Sequence, residues 1–372
     1  MLICQRIRHR GVEEDGRRRL YMSASRLWWF ASTSSNRWSR GLIWARLQMR
    51  YSLLGRSGLR VSNIALGTAA FGVAPLEKDA DALVGRALDL GINNFDTANT
   101  YGNQPRFDRP GAPTAEQRAS AEEILGKALR GRRHDVVVGT KVMERVGLGP
   151  NDGGLSRRHI FQQVERSLQR LGTDYIDIYY AHHPDPDTSI RETLDAFDGL
   201  IRQGKVRYCA LSLYPAWRLA EALLEAERLG LHTPVVLQTS YSLANRAVEQ
   251  DVVPACLHFG LPILAFSPLA GGLLSGVAAL ERPFVGNLRW GGKGFTEDQA
   301  LLARKLDDIA GEAGHPPAQI ALAWLLSRPG VCGAIIGAEK IDTLEISAGA
   351  SQLELDSDLL ARVEGLTASM PR

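Results

Sequence analysis

The sequence is poor in cysteine, with four residues in 372 and no C-x-x-C pair. So sparse a set supplies neither a disulfide framework nor a zinc site, and the sequence shows no other metal-ligand pattern. We interpret the cysteines as small buried hydrophobic residues in a reducing compartment, which predicts a cytoplasmic protein. They are Cys4, Cys209, Cys256 and Cys332.

Long hydrophobic runs are also missing. No apolar stretch reaches the ~18 residues that a membrane-spanning helix needs, so we predict that the chain is not an integral membrane protein. Hydrophobic residues make up 45% of the chain and charged residues 23%, which is typical of a globular protein. A chain of 372 residues can form one large α/β domain or two domains of ordinary size.

A strong net charge is missing too, and the value of +3 is unevenly divided. Residues 1–50 contain eleven Arg, no Lys and three acidic residues, a balance of +8 that leaves −5 for the other 322 residues. The main body of the chain is therefore slightly acidic, and we predict no nucleic-acid partner.

Residues 1–48 differ in composition from everything that follows. They are rich in Arg and hold four of the seven Trp residues. An Arg-rich, Ser-containing start is typical of an organellar transit peptide, but Trp28-Trp29 and the acidic cluster at 13–15 are not. Met49 offers another explanation, that translation begins there. We therefore separate an extension, 1–48, predicted to be disordered or not translated, from a domain spanning 49–372; organellar targeting or a functional arm are the alternatives for the extension.

From Tyr51 onward, strand-like and helix-like segments alternate. Residues 50–55 and 59–62 flank a turn and predict a β-hairpin. In one of the helical segments between the later strands, Ser156 is suited to begin a helix and Gly172 to end it. Apolar strands that are each followed by a helix indicate a parallel sheet buried on both faces. The predicted strands are Ile64–Gly67, Asn94–Asp96, Val136–Lys141, Ile176–His182, Val206–Ser212, Val235–Thr239, Ile263–Ser267 and Gly333–Ile336.

Eight such units predict a closed (β/α)8 barrel, with the hairpin closing the bottom of the barrel. The alternative is an open doubly wound sheet, which normally carries G-x-G-x-x-G between its first strand and helix. Here the first strand leads into Gly67-Thr68-Ala69-Ala70-Phe71-Gly72, and the glycines at 147, 149 and 153 have the wrong spacing. The barrel is therefore the favoured architecture.

Three successive predicted strands end in Asp96, Lys141 and His182, and Tyr101 lies in the loop after the first of them. Active sites of (β/α)8 barrels form at the C-terminal ends of the strands, so we expect these four side chains to meet. Lys141 would lower the pKa of the Tyr101 phenol and would itself be held by Asp96. His182 would orient a substrate oxygen, although strand alternation allows either His182 or His183 to face the barrel mouth.

Several segments carry a more specific signal: Gly55–Leu59, Phe95–Gly102, Gly139–Lys141, Asp174–His182, Gly204–Arg207 and Phe266–Leu274. Together they resemble the aldo-keto reductase superfamily over residues 50–350, and most closely the branch that includes bacterial enzymes and potassium-channel β subunits. The resemblance implies a (β/α)8 barrel that binds NADP(H) in an extended form without a Rossmann domain.

The resemblance also implies the catalytic roles. It assigns them to Asp96, Tyr101, Lys141 and His182, and so chooses His182 over His183. In that family a hydride passes from the nicotinamide to a carbonyl carbon while the tyrosine protonates the oxygen.

Cofactor contacts carry over less completely. Ser212 and Gln238 match the residues that hold the nicotinamide carboxamide, and Phe266 matches the position that stacks on its ring. The family's Asn after that serine is Leu213 here, which predicts a loss of ~1 kcal/mol in carboxamide recognition. The cofactor-side motifs add Ser267, Leu269, Gly271, Gly337 and Lys340 as expected contacts.

A larger departure from the family is Glu339. It stands where the family commonly has an Arg that meets the adenosine 2′-phosphate, and a carboxylate repels that phosphate. Lys340 is a weaker, point-charge substitute, and the family's adenine-binding Gln and Asn are Thr343 and Ser347. We therefore expect NADPH as the cofactor with a relaxed or reversed preference, so that NADH is also used.

An insertion at 103–119 follows Tyr101-Gly102, where family members reach the next helix within a few residues. Because it begins beside the predicted catalytic phenol, we expect a substrate-side lid; a disordered surface loop is the alternative. A second long loop, 286–294, is expected where the family covers the cofactor pyrophosphate, with Trp290 either lining the substrate pocket or packing.

The complete catalytic set favours an NAD(P)H-dependent reductase acting on a small-molecule carbonyl substrate. One alternative is a cofactor-binding regulatory subunit, as the potassium-channel β subunits of the superfamily are. Another is a vestigial reductase, which Leu213 and Glu339 make conceivable. The polar insertion and His183–Pro186 favour a hydroxylated substrate, and nothing in the sequence indicates an oligomeric state.

Overall fold

The computed structural model of the chain describes residues 49–281 and 294–367. The predictions made for the extension at 1–48 and for Trp290 in the second long loop lie outside these residues.

Eight parallel strands close into a barrel, each hydrogen-bonded to two neighbours. The first strand of the barrel pairs with the last, Leu66 lying opposite Ile336, which completes the ring. The barrel strands are β3 (Ile64–Gly67), β4 (Asn94–Asp96), β5 (Val137–Val142), β6 (Ile176–Ala181), β7 (Val206–Ser212), β8 (Leu237–Ser240), β9 (Ile263–Phe266) and β10 (Val331–Ile336).

Helices lie between successive barrel strands and after the last one. Over the described parts of the chain they are α1 (Glu77–Asp89), α2 (Ala121–Ala128), α3 (Arg157–Leu171), α4 (Ile190–Arg202), α5 (Ala216–Leu229), α6 (Val252–Phe259), α7 (Glu297–Ala313), α8 (Pro317–Leu326), α9 (Ile341–Ala348) and α10 (Ser357–Gly365).

A hairpin precedes the barrel, formed by β1 (Tyr51–Leu53) and β2 (Arg60–Ser62). Leu54, which follows β1, and Val61, within β2, are fully buried and pack with residues of the barrel interior, among them Val137 at the start of β5. The hairpin therefore closes the N-terminal end of the barrel. This confirms the predicted fold class and leaves the opposite end of the barrel for a site.

Local signals explain why the helices begin and end where they do. Ser156 accepts a hydrogen bond from the backbone N–H of His159 at the start of α3, and Gly172 ends that helix in the left-handed conformation, with φ of 64°. Glycine takes this conformation without a steric penalty, which is why it so often ends a helix. The buried face of α3 carries Ile160, Val164 and other apolar residues at helical spacing, as predicted.

Several predicted strand ends were wrong by one or two residues. β8 begins at Leu237 rather than Val235, and β5 and β6 end one residue later and one earlier than predicted. β10 begins at Val331 rather than Gly333, because the register with β9 shifts between these two residues. Such offsets arise because the neighbouring strand, and not the segment's own composition, decides where ladder hydrogen bonds stop.

Cys209, Cys256 and Cys332 are free and buried, as predicted, and burial raises the pKa of each thiol to about 12. They are therefore inert hydrophobic residues at neutral pH; Cys4 lies outside the described residues.

Among the helices of the described parts, none combines the length and apolar character required to cross a membrane.

Candidate active site

Strand alternation brings six predicted site residues to the carboxyl end of the barrel. On β6, Ile178 and Tyr180 belong to the interior cluster, so His182, two residues further on, faces the same way. The same alternation directs inward one residue in or near the last part of each other strand from β4 to β9. The six residues are Asp96, Lys141, His182, Ser212, Gln238 and Phe266.

A buried ion pair lies at the centre of this end. Lys141 Nζ donates to Asp96 Oδ2 at 2.6 Å and to the Thr97 carbonyl at 2.8 Å, and its side chain is fully buried. Gln238 Nε2 donates to the other carboxylate oxygen of Asp96 at 2.8 Å. Burial lowers the pKa of Lys141, but its interactions with Asp96 and Tyr101 together outweigh burial, so the pKa is raised above its usual value. The ammonium is therefore permanent.

Tyr101 stands between this ion pair and His182. Lys141 Nζ lies 4.8 Å from the centre of the Tyr101 ring, and the Tyr101 hydroxyl lies 3.4 Å from His182 Nε2. Burial raises the pKa of Tyr101 and outweighs the lowering by Lys141. The predicted net lowering of this pKa is therefore wrong in this state, although the predicted influence of Lys141 is present. The phenol keeps its proton at neutral pH.

Of the two adjacent histidines, His182 is the one beside Tyr101. His183 turns toward the protein surface, where its Nε2 lies 3.0 Å from Glu144 Oε1. Burial, with the Lys141 charge, lowers the pKa of His182 to about 2. His182 is therefore neutral at physiological pH, which suits a hydrogen-bonding group and not a proton donor.

Acidification is expected to destabilise the protein through His182, by about 2 kcal/mol between pH 7 and pH 5. An unfolded histidine titrates near 6.5, whereas folded His182 titrates at about 2. In this window the unfolded state therefore binds a proton that the folded state does not, and stability falls as the pH falls. Urea unfolding at both pH values should show a smaller pH dependence for His182→Gln. The control is His258→Gln, at an exposed position of α6. Equal pH dependence in wild type and His182→Gln would contradict this reasoning.

The predicted carboxamide contacts are near the ion pair, with one difference. Ser212, at the end of β7, and Gln238, within β8, are buried, but one amide N–H of Gln238 is already used by Asp96. Leu213 adopts φ of 59°, a left-handed conformation that favours Gly or Asn and strains a leucine. Its backbone N–H donates to the Gln238 carbonyl, which holds it in place.

The loop after β9 has an unusual backbone. Ser267, Ala270, Gly271 and Gly272 all have positive φ values, from 49° to 101°; for Ser267 and Ala270 this conformation is strained, and such strain is concentrated at functional sites. A Cβ added at Gly272 or Gly337 would meet no atom within 4 Å. The loops after β9 and β10, which also carry Leu269 and Lys340, therefore leave open space beside Gly272 and Gly337.

The insertion is an ordered loop with two short helical turns, Pro105–Phe107 and Ala115–Gln117. The buried guanidinium of Arg118 organises it by donating to the carbonyls of Gly102, at 2.8 Å, and Gln104, at 3.1 Å, and to Asp108. Phe107 is buried and packs edge-on against Tyr101, with the ring centres 6.3 Å apart. The insertion is thus attached to the site, as a lid would be.

The insertion also reaches the cofactor-side loop. Arg109 Nη2 lies 3.7 Å from Glu339 Oε1. Lys340, the next residue, is exposed and uses its backbone N–H to bond Thr343. The carboxylate of Glu339 therefore faces an arginine that sequence reasoning did not connect to it.

A second group missed by sequence reasoning is Glu144 with the two histidines. The potential ligand atoms of Glu144, His182 and His183 lie within 4.8 Å of one another, which brings together residue types that bind metals. Each side chain has a partner within the protein: Glu144 contacts His183, and His182 contacts Tyr101. The signal in the sequence that could have pointed to this group is the position of Glu144, a carboxylate just after the end of β5.

Fold and site together define an α/β barrel whose carboxyl-terminal mouth holds a buried Asp–Lys ion pair beside a tyrosine and a histidine. The model described as the aldo/keto reductase family matches residues 63–368, and the chain belongs to this family.

Curated relatives match along nearly their whole length. An uncharacterized oxidoreductase, YrpG, of Bacillus subtilis is 39% identical over 84% of this chain and 94% of its own. A probable voltage-gated potassium channel subunit beta of Oryza sativa is 36% identical over 87% of this chain and 98% of its own. L-glyceraldehyde 3-phosphate reductase of Escherichia coli K12 is 32% identical over 85% of this chain and 92% of its own.

Proposed function

We propose that the protein is an NAD(P)H-dependent reductase of aldehydes or ketones. The observation that carries the proposal is the arrangement around Tyr101: a protonated phenol, an ammonium 4.8 Å from its ring and a neutral imidazole 3.4 Å from its hydroxyl. Membership in a family of oxidoreductases acting on small carbonyl compounds agrees with it.

The side chains have complementary roles in this reaction. The carbonyl oxygen would accept hydrogen bonds from Tyr101 and from His182, whose low pKa keeps it neutral. As negative charge develops on that oxygen, Tyr101 donates its proton, and the fixed charge of Lys141 stabilises the phenolate that remains. Asp96 keeps Lys141 in place, and the alcohol leaves with one added hydride and one added proton.

A reduced nicotinamide would supply the hydride. Ser212, the remaining amide atoms of Gln238 and the aromatic ring of Phe266 are suited to hold its ring. The backbone of Ser267, Leu269 and Gly271 and the loop at Gly337 and Lys340 are suited to hold its phosphates and adenosine. We propose these contacts from the family resemblance and the open space beside the loops.

The direct test is steady-state oxidation of NADPH and of NADH, side by side, with para-nitrobenzaldehyde as substrate. Turnover with either cofactor supports the reductase. Binding of a cofactor without turnover of any aldehyde would favour the regulatory or vestigial alternatives.

Glu339→Arg is expected to raise the NADPH over NADH ratio of kcat/KM by about tenfold or more. It replaces a charge that repels the adenosine 2′-phosphate with one that attracts it. The arginine would also repel Arg109, its present partner at 3.7 Å, and leave both cations for the phosphate. Glu339→Gln removes the repulsion alone and should give a smaller rise. Dissociation constants from cofactor fluorescence give a second readout, and an unchanged ratio would place the 2′-phosphate elsewhere.

The second candidate is a regulatory subunit, because three of the relatives are named as voltage-gated potassium channel subunits beta, with 32% to 36% identity. The two functions differ in turnover. A regulatory subunit would bind NADPH tightly and reduce every aldehyde slowly, whereas a metabolic reductase would turn over at least one aldehyde many times per second.

A further inference from the structure

The three arginines of the insertion differ in how their charges are matched. Arg118 pairs with Asp108 at 2.8 Å, and Arg109 faces Glu339 at 3.7 Å. Arg106 is exposed and has no ion-pair partner among residues 49–281 and 294–367. One positive charge of the insertion is therefore left without a carboxylate.

Arg106 is nevertheless held beside the proposed proton donor. Its Nη2 donates to Thr100 Oγ1 at 3.2 Å, and its guanidinium carbon lies 5.2 Å from the centre of the Phe107 ring. Phe107 is the ring that packs edge-on against Tyr101. The guanidinium is thus anchored from two sides at the mouth of the site.

The charge of Arg106 reaches the groups around the proposed oxygen position. Burial is the main influence on both neighbours: it raises the pKa of Tyr101 and lowers that of His182. The charge of Arg106 lowers both pKa values, so it opposes burial at Tyr101 and adds to it at His182. The guanidinium, anchored to Thr100 and Phe107, is therefore close enough to both side chains for its charge to act on them.

An opposing charge on which Arg106 acts, that of Glu144, is already engaged. Glu144 lies 3.0 Å from His183, and this hydrogen bond, more than Arg106, lowers the pKa of the Glu144 carboxyl. Deeper in the barrel, Asp96 and Lys141 neutralise each other at 2.6 Å. Within the described parts of the chain, Arg106 is therefore a positive charge near this mouth that no carboxylate pairs with.

We propose that Arg106 selects carbonyl substrates that carry an anionic group, a phosphate or a carboxylate, away from the carbonyl. The inference rests on the proposed reductase function and goes beyond it by naming the substrate class. A guanidinium presents paired N–H donors that match the oxygens of either anion. With the carbonyl at Tyr101 and His182, the anionic end would extend outward to Arg106.

Two matched substrate pairs test this inference: para-carboxybenzaldehyde against para-nitrobenzaldehyde, and glyceraldehyde 3-phosphate against glyceraldehyde. The quantity to measure is the ratio of kcat/KM for the anionic to the neutral member, at saturating reduced cofactor. Arg106→Ala is expected to lower this ratio about tenfold or more, and high salt should diminish the difference between the proteins. The pair with the larger effect identifies phosphate or carboxylate as the preferred group.

Two further variants separate this role from a general effect of charge. Arg145→Ala removes an exposed arginine whose guanidinium is used by the carbonyls of Gly147 and Gly149, and it should leave the ratio unchanged. Glu144→Gln removes the opposing charge and should raise the ratio. Equal ratios in wild type and Arg106→Ala, or an equal fall in Arg145→Ala, would overturn the inference.

A binding measurement decides the inference even without turnover. Calorimetric titration of glyceraldehyde 3-phosphate and of para-carboxybenzaldehyde into Tyr101→Phe should show binding that is about tenfold weaker in Tyr101→Phe/Arg106→Ala. Equal affinities would overturn the role of Arg106, whereas a difference in affinity without turnover in wild type would overturn the reductase function alone.

Discussion

Replacing Tyr101 by Phe is expected to lower kcat for carbonyl reduction by about 10² to 10⁴-fold, the usual contribution of a positioned proton donor. The change removes one oxygen atom and keeps the ring that packs against Phe107. The proton would then have to come from water or from His182, which at a pKa of about 2 is not an imidazolium at neutral pH and so is a poor acid. The measurement is single-turnover oxidation of bound cofactor with para-nitrobenzaldehyde.

The matched control for this prediction is Tyr179→Phe on β6. The Tyr179 hydroxyl is buried without a hydrogen-bond partner in the described structure, and its ring packs against Phe197 on the helix side of the strand. The same chemical change there should leave turnover intact. Cofactor affinity should be similar in both variants, since neither hydroxyl is among the proposed cofactor contacts. Turnover in Tyr101→Phe within about threefold of wild type would rule out the phenol as the general acid.

The barrel was predictable because its strands leave a strong signal. Strands buried on both faces read as short apolar runs, and the helices between them repeat at a different period. The ends of β8 and β10 were not predictable to the residue. They depend on hydrogen bonds to neighbours far along the chain, including the register shift between Val331 and Gly333.

The inward residues of the site were predictable for a related reason. Once a strand is known to end at the mouth, alternation decides which side chains face the axis, and the family motifs distinguish His182 from His183. Loop residues have no such period. The contacts of Arg106 with Thr100, and of Arg109 with Glu339, depend on how Arg118 folds the insertion.

The direction of the pKa shift of Tyr101 could not be predicted from its pairing with Lys141 alone. A lysine and a tyrosine close together predict a lowered phenol pKa, and Lys141 does act in that direction. The larger effect is burial, which depends on enclosure by Phe107 and the surrounding barrel. That enclosure is a property of the folded chain, and the sequence around Tyr101 does not predict it.

Lys141→Met is expected to reduce the free energy of unfolding by about 3 to 5 kcal/mol, because it leaves a buried carboxylate without its cation. Asp96 would retain one hydrogen bond, from Gln238 Nε2 at 2.8 Å, which does not neutralise its charge. Asp96→Asn should be destabilising in the same way, since it leaves the buried ammonium of Lys141 without a carboxylate to neutralise it. Urea unfolding of the purified variants measures both effects.

The double variant Asp96→Asn/Lys141→Met separates stability from catalysis. It removes both charges, so much of the lost stability should return, because a neutral pair carries no uncompensated buried charge. Turnover should stay at least ~10²-fold below wild type, because no charge remains to stabilise the phenolate of Tyr101 as it gives up its proton. A double variant as unstable as either single one would mean that packing, and not charge pairing, governs this site. Restored turnover would mean that the ion pair supports the barrel and has no part in proton transfer.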